Sequence, residues 1–249
     1  MQAYDFPVEL QPLRLPSGAI GPRTKALVRT DTDLPLSVVS DRYKLVPYKE
    51  IVEAAEGFVG LFGNPERSFY LDREGKRMSA EFTYRDRTET VGLDDVVGLR
   101  VWIENSYNKN TSVRFRVGGL RLKCLNGMAS SQVLFEATVR HTAKSLAQGI
   151  QFPKQDEVLN GFRKSTDFWK RLGEIDLTGK EWKDRVDHAL EQGVIPGQAY
   201  DHDDGEHGTS AWHLYNDFTH YVNHDSKASP LGKIRRLDRI DRFFVRSFP

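Results

Sequence analysis

The sequence predicts an α+β protein, with an antiparallel sheet and a packed helix in its N-terminal part and a helical C-terminal part. Between about residues 68 and 123, apolar and polar residues alternate, which is the period of strands. After about residue 150, apolar residues recur every three or four positions, which is the period of helices. The 249 residues suffice for one large domain or two small ones.

The N-terminal part begins with residues 1–25, which are rich in Pro and Gly and predict an extended N-terminal arm. Residues 26–150 are predicted to form the sheet domain. Short strands are expected at Ala26–Arg29 and Leu36–Ser40, followed by a helix that ends at Gly60. The helix is indicated by the spacing of Ile51, Val52, Ala55, Phe58 and Val59. A hairpin is then predicted from strands at Ser68–Leu71 and Lys76–Arg85.

A basic block follows, because residues 98–148 carry eight Lys or Arg and only two acids. We predict strands at Val96–Glu104 and Thr111–Val117, joined by the polar loop Asn105–Asn110 and followed by Gly118-Gly119, which allows a bulge or a bend. The apolar positions are Leu99, Val101, Ile103, Val113, Phe115, Val117, Leu120 and Leu122, and between them lie Arg100, Trp102, Arg114, Arg116, Arg121 and Lys123. Since strand side chains alternate faces, the basic set is expected to share one face. Periodicity leaves open whether Phe135–Thr142 is a strand or part of a helix.

Residues 151–249 are predicted to be helical and to pack on the sheet or follow it. One apolar stripe consists of Val158, Leu159, Phe162, Trp169 and Leu172. Thr178-Gly-Lys-Glu181 is a capping box that opens the next helix. Further helices are expected at Thr209–His224 and from about Leu231.

A cationic sheet face that also carries an aromatic residue can hold a polyanion, and single-stranded DNA is the first candidate. The expected phosphate contacts are Arg100, Arg114, Arg116, Arg121 and Lys123. Trp102 or Tyr107 would stack on a base, and Lys109 in the loop would reach a phosphate. In the alternative interpretation, the basic residues neutralise the chain's own acids.

The last predicted helix carries a second basic feature. Its arginines are spaced by four, three and four residues, so they lie on one face: Arg235, Arg239, Arg242 and Arg246. A guanidinium group can donate two hydrogen bonds to two oxygens of one phosphate. This stripe is therefore a candidate binding site for successive phosphates of a nucleic acid. The alternative is a solvated face paired with Asp238 and Asp241.

Several classes of protein are not indicated. The chain has no Gly-rich phosphate loop with Lys and Ser or Thr, and no Gly-x-Ser-x-Gly, so we expect neither an NTPase nor a hydrolase of that type, and no cofactor. His213, His220 and His224 have helical spacing, which keeps a metal-dependent enzyme as an alternative, but no metal is expected from two or three unsupported histidines. The single cysteine, Cys124, and the lack of a long apolar run predict a cytoplasmic protein without a membrane partner.

Five segments carry a family resemblance. They are Val39–Val46, Ile103–Asn108, Arg121–Gly127, Val139–Thr142 and Ala211–His224. With them the chain resembles the phage and plasmid-like proteins grouped as domain of unknown function 932, over about residues 35–245. The resemblance implies a mobile-element origin and the host cytoplasm, and it implies no catalytic residue. At the level of the fold the layout is also similar to the core of phage single-strand annealing proteins.

We therefore expect a phage or plasmid DNA-binding protein, without enzymatic activity, that holds or anneals single-stranded DNA in recombination or replication. The alternative is a counter-defence or interaction protein that binds a host protein through the same surface. A homo-oligomer is compatible with the first expectation, because annealing proteins often form rings or filaments.

Overall fold

The computed structural model describes residues 3–72, 74–91, 95–121, 133–195, 209–222 and 230–249. Its strands are β1 (Val8–Arg14), β2 (Ile20–Arg29), β3 (Leu34–Ser40), β4 (Glu66–Leu71), β5 (Arg77–Val91), β6 (Asp95–Ser106), β7 (Val113–Arg121) and β8 (Val133–Val139). Its α-helices are α1 (Tyr48–Val59), α2 (Ala143–Gln148), α3 (Gln155–Glu174), α4 (Gly179–Glu191), α5 (Ala211–His220) and α6 (Pro230–Ser247). The predicted α+β class, with helices in the C-terminal part, is confirmed. Among the described residues, no helix combines the length and the apolar character needed to cross a membrane.

The first sheet is antiparallel and has the order β1-β2-β3. Strand β1 pairs with β2 from Val8 opposite Arg29 to Arg14 opposite Ile20. Gly18 lies between these strands with a φ of 83°, a conformation that glycine adopts without strain. Much of residues 1–25, predicted as an extended arm, therefore belongs to a paired hairpin, because its Pro and Gly residues mark a strand edge and a turn.

The second sheet is antiparallel and has the order β4-β5-β6-β7-β8. The predicted hairpin of β4 and β5 is confirmed, with Leu71 opposite Met78. Strand β7 continues through Gly118-Gly119, where the sequence allows a bulge or a bend. Periodicity leaves open whether Phe135–Thr142 is a strand or part of a helix. In the structure, residues 135–139 belong to strand β8.

The chain divides into two compact units. The first contains residues 1–84, 100–117 and 135–155, and the second contains 85–99, 118–134 and 156–249. This division differs from the predicted one near residue 150, because strands β5 to β8 contribute residues to both units. In the first unit the apolar face of α1 is buried, as its helical spacing predicts.

The core of the first unit is aromatic. Phe58 on α1 contacts Phe115 on β7 edge-on, with 5.1 Å between ring centroids, and stacks on Phe152 at 4.9 Å. The β7 side chains that point to this core are at most 2% exposed, namely Val113, Phe115 and Val117. These contacts fix the inner face of the strands and thereby the outer face as well.

The core of the second unit contains tryptophans from α3 and α5. Trp169 and Trp212 have ring centroids 6.0 Å apart, and both are 1% exposed. Trp212 Nε1 donates a hydrogen bond of 2.7 Å to the buried Asp95. The predicted capping box at Thr178 is confirmed, since its side chain accepts from the Glu181 backbone while the Glu181 side chain accepts from the Thr178 backbone.

Candidate nucleic-acid interface

Strands β6 and β7 confirm the predicted alternation. Their apolar side chains are at most 2% exposed: Leu99, Val101, Ile103, Val113, Phe115 and Val117. The opposite face carries Arg100, Trp102 and Arg116, because the guanidinium carbons of the two arginines lie 5.0 and 5.9 Å from the Trp102 ring centroid. For these described residues, the sequence predicts correctly which side chains share each face, whereas the side chains of Leu120, Arg121, Leu122 and Lys123 lie outside the described residues.

The chain's own carboxylates occupy the basic face. Arg116 is 1% exposed, and its Nε and Nη1 donate to Glu136 at 2.7 Å and to Glu104 at 3.1 Å. Arg114 lies between the same two carboxylates, at 3.5 Å from an oxygen of each. These glutamates are the only two acids of the basic block of residues 98–148.

Arg100 has the same kind of partner, because it forms an ion pair with Glu81 on β5 and its side chain is 11% exposed. The expectation that Arg100, Arg114 and Arg116 stand free in solvent is therefore wrong. A buried charge needs a partner of opposite sign, and the neighbouring strands provide one for each guanidinium. This face of the sheet is an internal ion-pair network.

The two aromatic residues predicted to stack on bases have different positions. Trp102 is half-buried beside two guanidinium groups, a cation–π arrangement. Tyr107 is 1% exposed, and its ring stacks on Tyr48 with 4.0 Å between centroids. Its hydroxyl accepts a hydrogen bond of 3.1 Å from the Tyr48 backbone. The prediction that Tyr107 contacts a base is wrong, because the ring forms part of the core.

The loop between β6 and β7 presents Lys109 to solvent. Ser106 Oγ donates to the Thr111 carbonyl at 2.9 Å and accepts from the Thr111 amide at 2.8 Å, which closes the loop. The Asn110 amide donates to the Asn108 side chain at 3.1 Å. Lys109 is exposed and has a φ of 64°, which costs a non-glycine residue on the order of 1 kcal/mol. The loop thus fixes the backbone from which the Lys109 ammonium extends.

A pocket of about 270 Å³ lies beside this loop in the first unit. It is lined by Ser40, Arg42, Tyr43, Lys109, Thr111, Ser112, Arg140, His141 and Thr142. Arg42, Lys109 and Arg140 are exposed, and none of them forms an ion pair within the part of the chain that the structure describes. The described lining residues include no carboxylate, so the pocket is electropositive. We call it the cationic pocket.

The cationic pocket is assembled by pairing two distant segments. Tyr43, after β3, forms an isolated antiparallel bridge with Thr142, after β8. The Lys44 amide donates to the His141 carbonyl at 3.0 Å. The Tyr43 and His141 rings stack with 4.8 Å between centroids and 10° between planes. These contacts bring the segments of Arg42 and Arg140 together.

His141 joins this pairing to the Lys109 loop. One ring nitrogen lies 3.1 Å from the Lys44 carbonyl, and the other lies 2.8 Å from Asn105 Oδ1. Burial lowers the pKa of His141 below its ordinary value of 6.5, while the hydrogen bond with the Lys44 carbonyl opposes this shift. The imidazole is therefore neutral at pH 7, and its single N–H donates to only one of these two oxygens. It acts as a structural link between three walls of the pocket.

The arginine stripe of the last helix is present on α6 in the second unit. Arg239, Arg242 and Arg246 are exposed, and Arg239 Nη1 donates to the Gly193 carbonyl at 3.4 Å. The side chain of Arg235, like that of Arg121 on β7, lies outside the described residues, and so does all of Lys123.

The predicted histidine cluster is described only in part. His213 Nδ1 lies 2.7 Å from Ser210 Oγ, His220 is exposed, and His224 lies outside the described residues, as does Cys124. Over the residues that are described, no group of three His, Cys, Asp or Glu could hold a metal ion.

Sequence reasoning misses Arg42, Arg140 and His141 as site residues. Arg42 lies outside the basic block, and Arg140 and His141 lie within it but after the alternating run between Leu99 and Lys123 from which the contacts are predicted. A signal was nevertheless present, because the segments Val39–Val46 and Val139–Thr142 both carry the family resemblance. The pairing of these two segments in the structure is what turns them into one site.

No curated protein and no solved structure matches this chain. The family model described as Domain of unknown function (DUF932) matches residues 35–242, which include the lining of the cationic pocket. Since the match covers more than half of the chain, the protein belongs to this family.

Proposed function

We propose that the protein binds nucleic acid, with single-stranded DNA as its first ligand, and that Arg42, Lys109 and Arg140 contact phosphate groups. The observation that carries this proposal is the cationic pocket, which three cationic residues line and whose described lining residues include no carboxylate. The binding requires no enzymatic activity.

The free cations distinguish this pocket from the basic face of the sheet. An arginine that already pairs with a glutamate of the sheet gains little from a phosphate, because the pair must first be broken. Arg42, Lys109 and Arg140 are exposed and lack such a pair among the described residues, so a phosphate can bind them directly. Exposed Lys and Arg side chains that replace condensed counterions supply most of non-specific binding to nucleic acid.

Further phosphate contacts are proposed for α6. Arg239, Arg242 and Arg246 are exposed there and share one helix face by their spacing. They would add affinity that depends on salt and not on base sequence.

The biological setting is part of the same proposal. The resemblance to phage and plasmid-like proteins supports a role in recombination or replication of a mobile element, in the cytoplasm of its host. A homo-oligomer on a DNA strand would be compatible with that role.

Fluorescence anisotropy with a labelled single-stranded oligonucleotide at low salt tests the proposal. Arg42→Glu, Lys109→Glu and Arg140→Glu are each expected to weaken binding about tenfold, because each removes one phosphate contact and adds a repulsive charge. Lys183→Glu is the matched control, since Lys183 is an exposed lysine on α4. Its affinity is expected to stay within twofold of that of the unmodified protein.

Two results would contradict the proposal. One is the absence of binding by the unmodified protein at low salt. The other is an equal loss of affinity in the three pocket variants and in Lys183→Glu, which would show that only net charge matters. Circular dichroism of each variant confirms that it is folded.

A further inference from the structure

We propose that the cationic pocket takes the terminal phosphomonoester of a nucleic-acid strand rather than a phosphodiester in the strand interior. This inference rests on the proposed function and names the part of the ligand that the pocket recognises.

The first argument is charge. A phosphodiester carries one negative charge, whereas a phosphomonoester carries about −1.5 to −2 at pH 7. Arg42, Lys109 and Arg140 place three formal positive charges around one pocket, and the described lining residues offer no negative charge. Such a site matches a dianion better than a monoanion.

The second argument is hydrogen-bonding capacity. A phosphomonoester has three terminal oxygens that accept hydrogen bonds. Besides its cations, the pocket is lined by four residues that carry hydroxyl groups, namely Ser40, Thr111, Ser112 and Thr142. Of these, the Thr142 hydroxyl accepts a bond from the Ser145 amide at 3.3 Å and still has a hydrogen to donate. Hydroxyls and cations together provide more donors than a diester's two free oxygens can use.

The third argument is size. Pockets that bury a drug-sized ligand have volumes of about 300–1,000 Å³. A volume of about 270 Å³ therefore suits one phosphate with part of its nucleotide, not a run of several nucleotides. Proteins that hold the interior of a strand instead use an elongated basic groove with stacking platforms.

The fourth argument is that the walls are already in place. The bridge between Tyr43 and Thr142, the 3.0 Å bond from the Lys44 amide to the His141 carbonyl, and the two bonds of Ser106 with Thr111 hold the segments that carry the cations. A preorganised site loses less free energy when it orders around a small ligand. The pocket can therefore bind one phosphate group without a rearrangement of the Lys109 loop around a DNA strand.

The experiment compares labelled single strands of one sequence and length. They carry a 5′-phosphate, a 3′-phosphate or hydroxyls at both ends, and unlabelled circular single-stranded DNA and 5′-dTMP serve as competitors. One of the phosphorylated strands is expected to bind at least about tenfold more tightly than the hydroxyl-ended strand, the factor expected for charge-assisted hydrogen bonds. Arg140→Gln is expected to abolish that preference, and Lys183→Gln is expected to retain it.

The outcomes separate this inference from the proposed function. Equal binding of all three linear strands, or full competition by circular DNA at the same nucleotide concentration, would overturn the terminal-phosphate inference and leave DNA binding standing. Binding of 5′-dTMP together with no binding of any strand would assign the pocket to a free phosphomonoester and overturn both. A preference that persists in Arg140→Gln would place recognition outside the pocket and overturn the inference.

Discussion

Nε of Arg116 lies 2.7 Å from Oε2 of Glu136, and the arginine is 1% exposed. The pair joins β7 to β8, which are neighbours in the sheet. Because Glu104 binds the same guanidinium from β6, one buried cation connects three adjacent strands. Arg100, Arg114 and Arg116 therefore stabilise the sheet through ion pairs, whereas the exposed Lys109 and Arg140 of the same basic block line the cationic pocket.

Removing both partners of Arg116 is expected to destabilise the fold. The double substitution Glu104→Gln and Glu136→Gln leaves the buried guanidinium without an anion, which costs about 3–5 kcal/mol in comparable buried pairs. The free energy of unfolding is measured by urea denaturation. The control is Glu56→Gln, whose ion pair with Arg67 is 42% and 38% exposed. That change is expected to cost about 1 kcal/mol or less. A similar small loss in the double variant would show that Arg116 does not depend on its carboxylates.

Stability is expected to fall as the pH decreases through the His141 transition. Burial lowers the pKa of His141 below 6.5, so the folded protein binds fewer protons at this site than the unfolded chain does. The free energy of unfolding therefore decreases as the pH falls from about 7 to the lowered pKa, and this contribution then levels off. Urea midpoints measured between about pH 5 and pH 8 are expected to show a smaller slope in His141→Gln. An unchanged slope in the variant would remove His141 as the cause.

Two glycines are expected to respond to alanine in opposite directions. A Cβ on Gly119 would lie 2.7 Å from Trp169 Cη2 and 3.0 Å from Val97 Cγ1, so Gly119→Ala overpacks the core of the second unit. We expect a loss of about 1–3 kcal/mol. Gly57 lies on α1 with nothing within 4 Å of such a Cβ, so Gly57→Ala is expected to stabilise by about 0.5–1 kcal/mol. Thermal denaturation of both variants measures the two shifts, and stabilisation by Gly119→Ala would contradict the close contact with Trp169.

The elements that depend on local pattern were predictable from the sequence. The alternation in β6 and β7 identifies their buried residues, and Thr178-Gly-Lys-Glu181 identifies the start of α4. At Gly118-Gly119 the sequence allows a bulge or a bend, and β7 continues through both glycines. Gly119 is needed because the Trp169 ring approaches the strand closely, a contact between distant residues that local sequence does not contain.

The pairing of charges could not be predicted, because it depends on the order of strands. Glu104 lies two and four residues after Trp102 and Arg100 on the same strand. Its position on the basic face could therefore be predicted from the alternation. Glu136 lies in a segment whose pattern allowed either a strand or a helix, and its position beside β7 is set by the sheet order. The cationic pocket could not be predicted either, because it depends on a contact between segments about 100 residues apart. Arg42 and Arg140 become neighbours only when Tyr43 pairs with Thr142.

The salt dependence of DNA binding measures the phosphate contacts of the cationic pocket most directly. For single strands, the slope of log affinity against log salt changes by about 0.7 for each phosphate contact. The triple variant of Arg42, Lys109 and Arg140 to Gln is therefore expected to lose about 2 from the magnitude of that slope. A control with Lys164, Lys180 and Lys183 changed to Gln, all exposed on α3 and α4, is expected to keep the slope of the unmodified protein. Equal slopes in the unmodified protein and the pocket variant would contradict phosphate binding at this site.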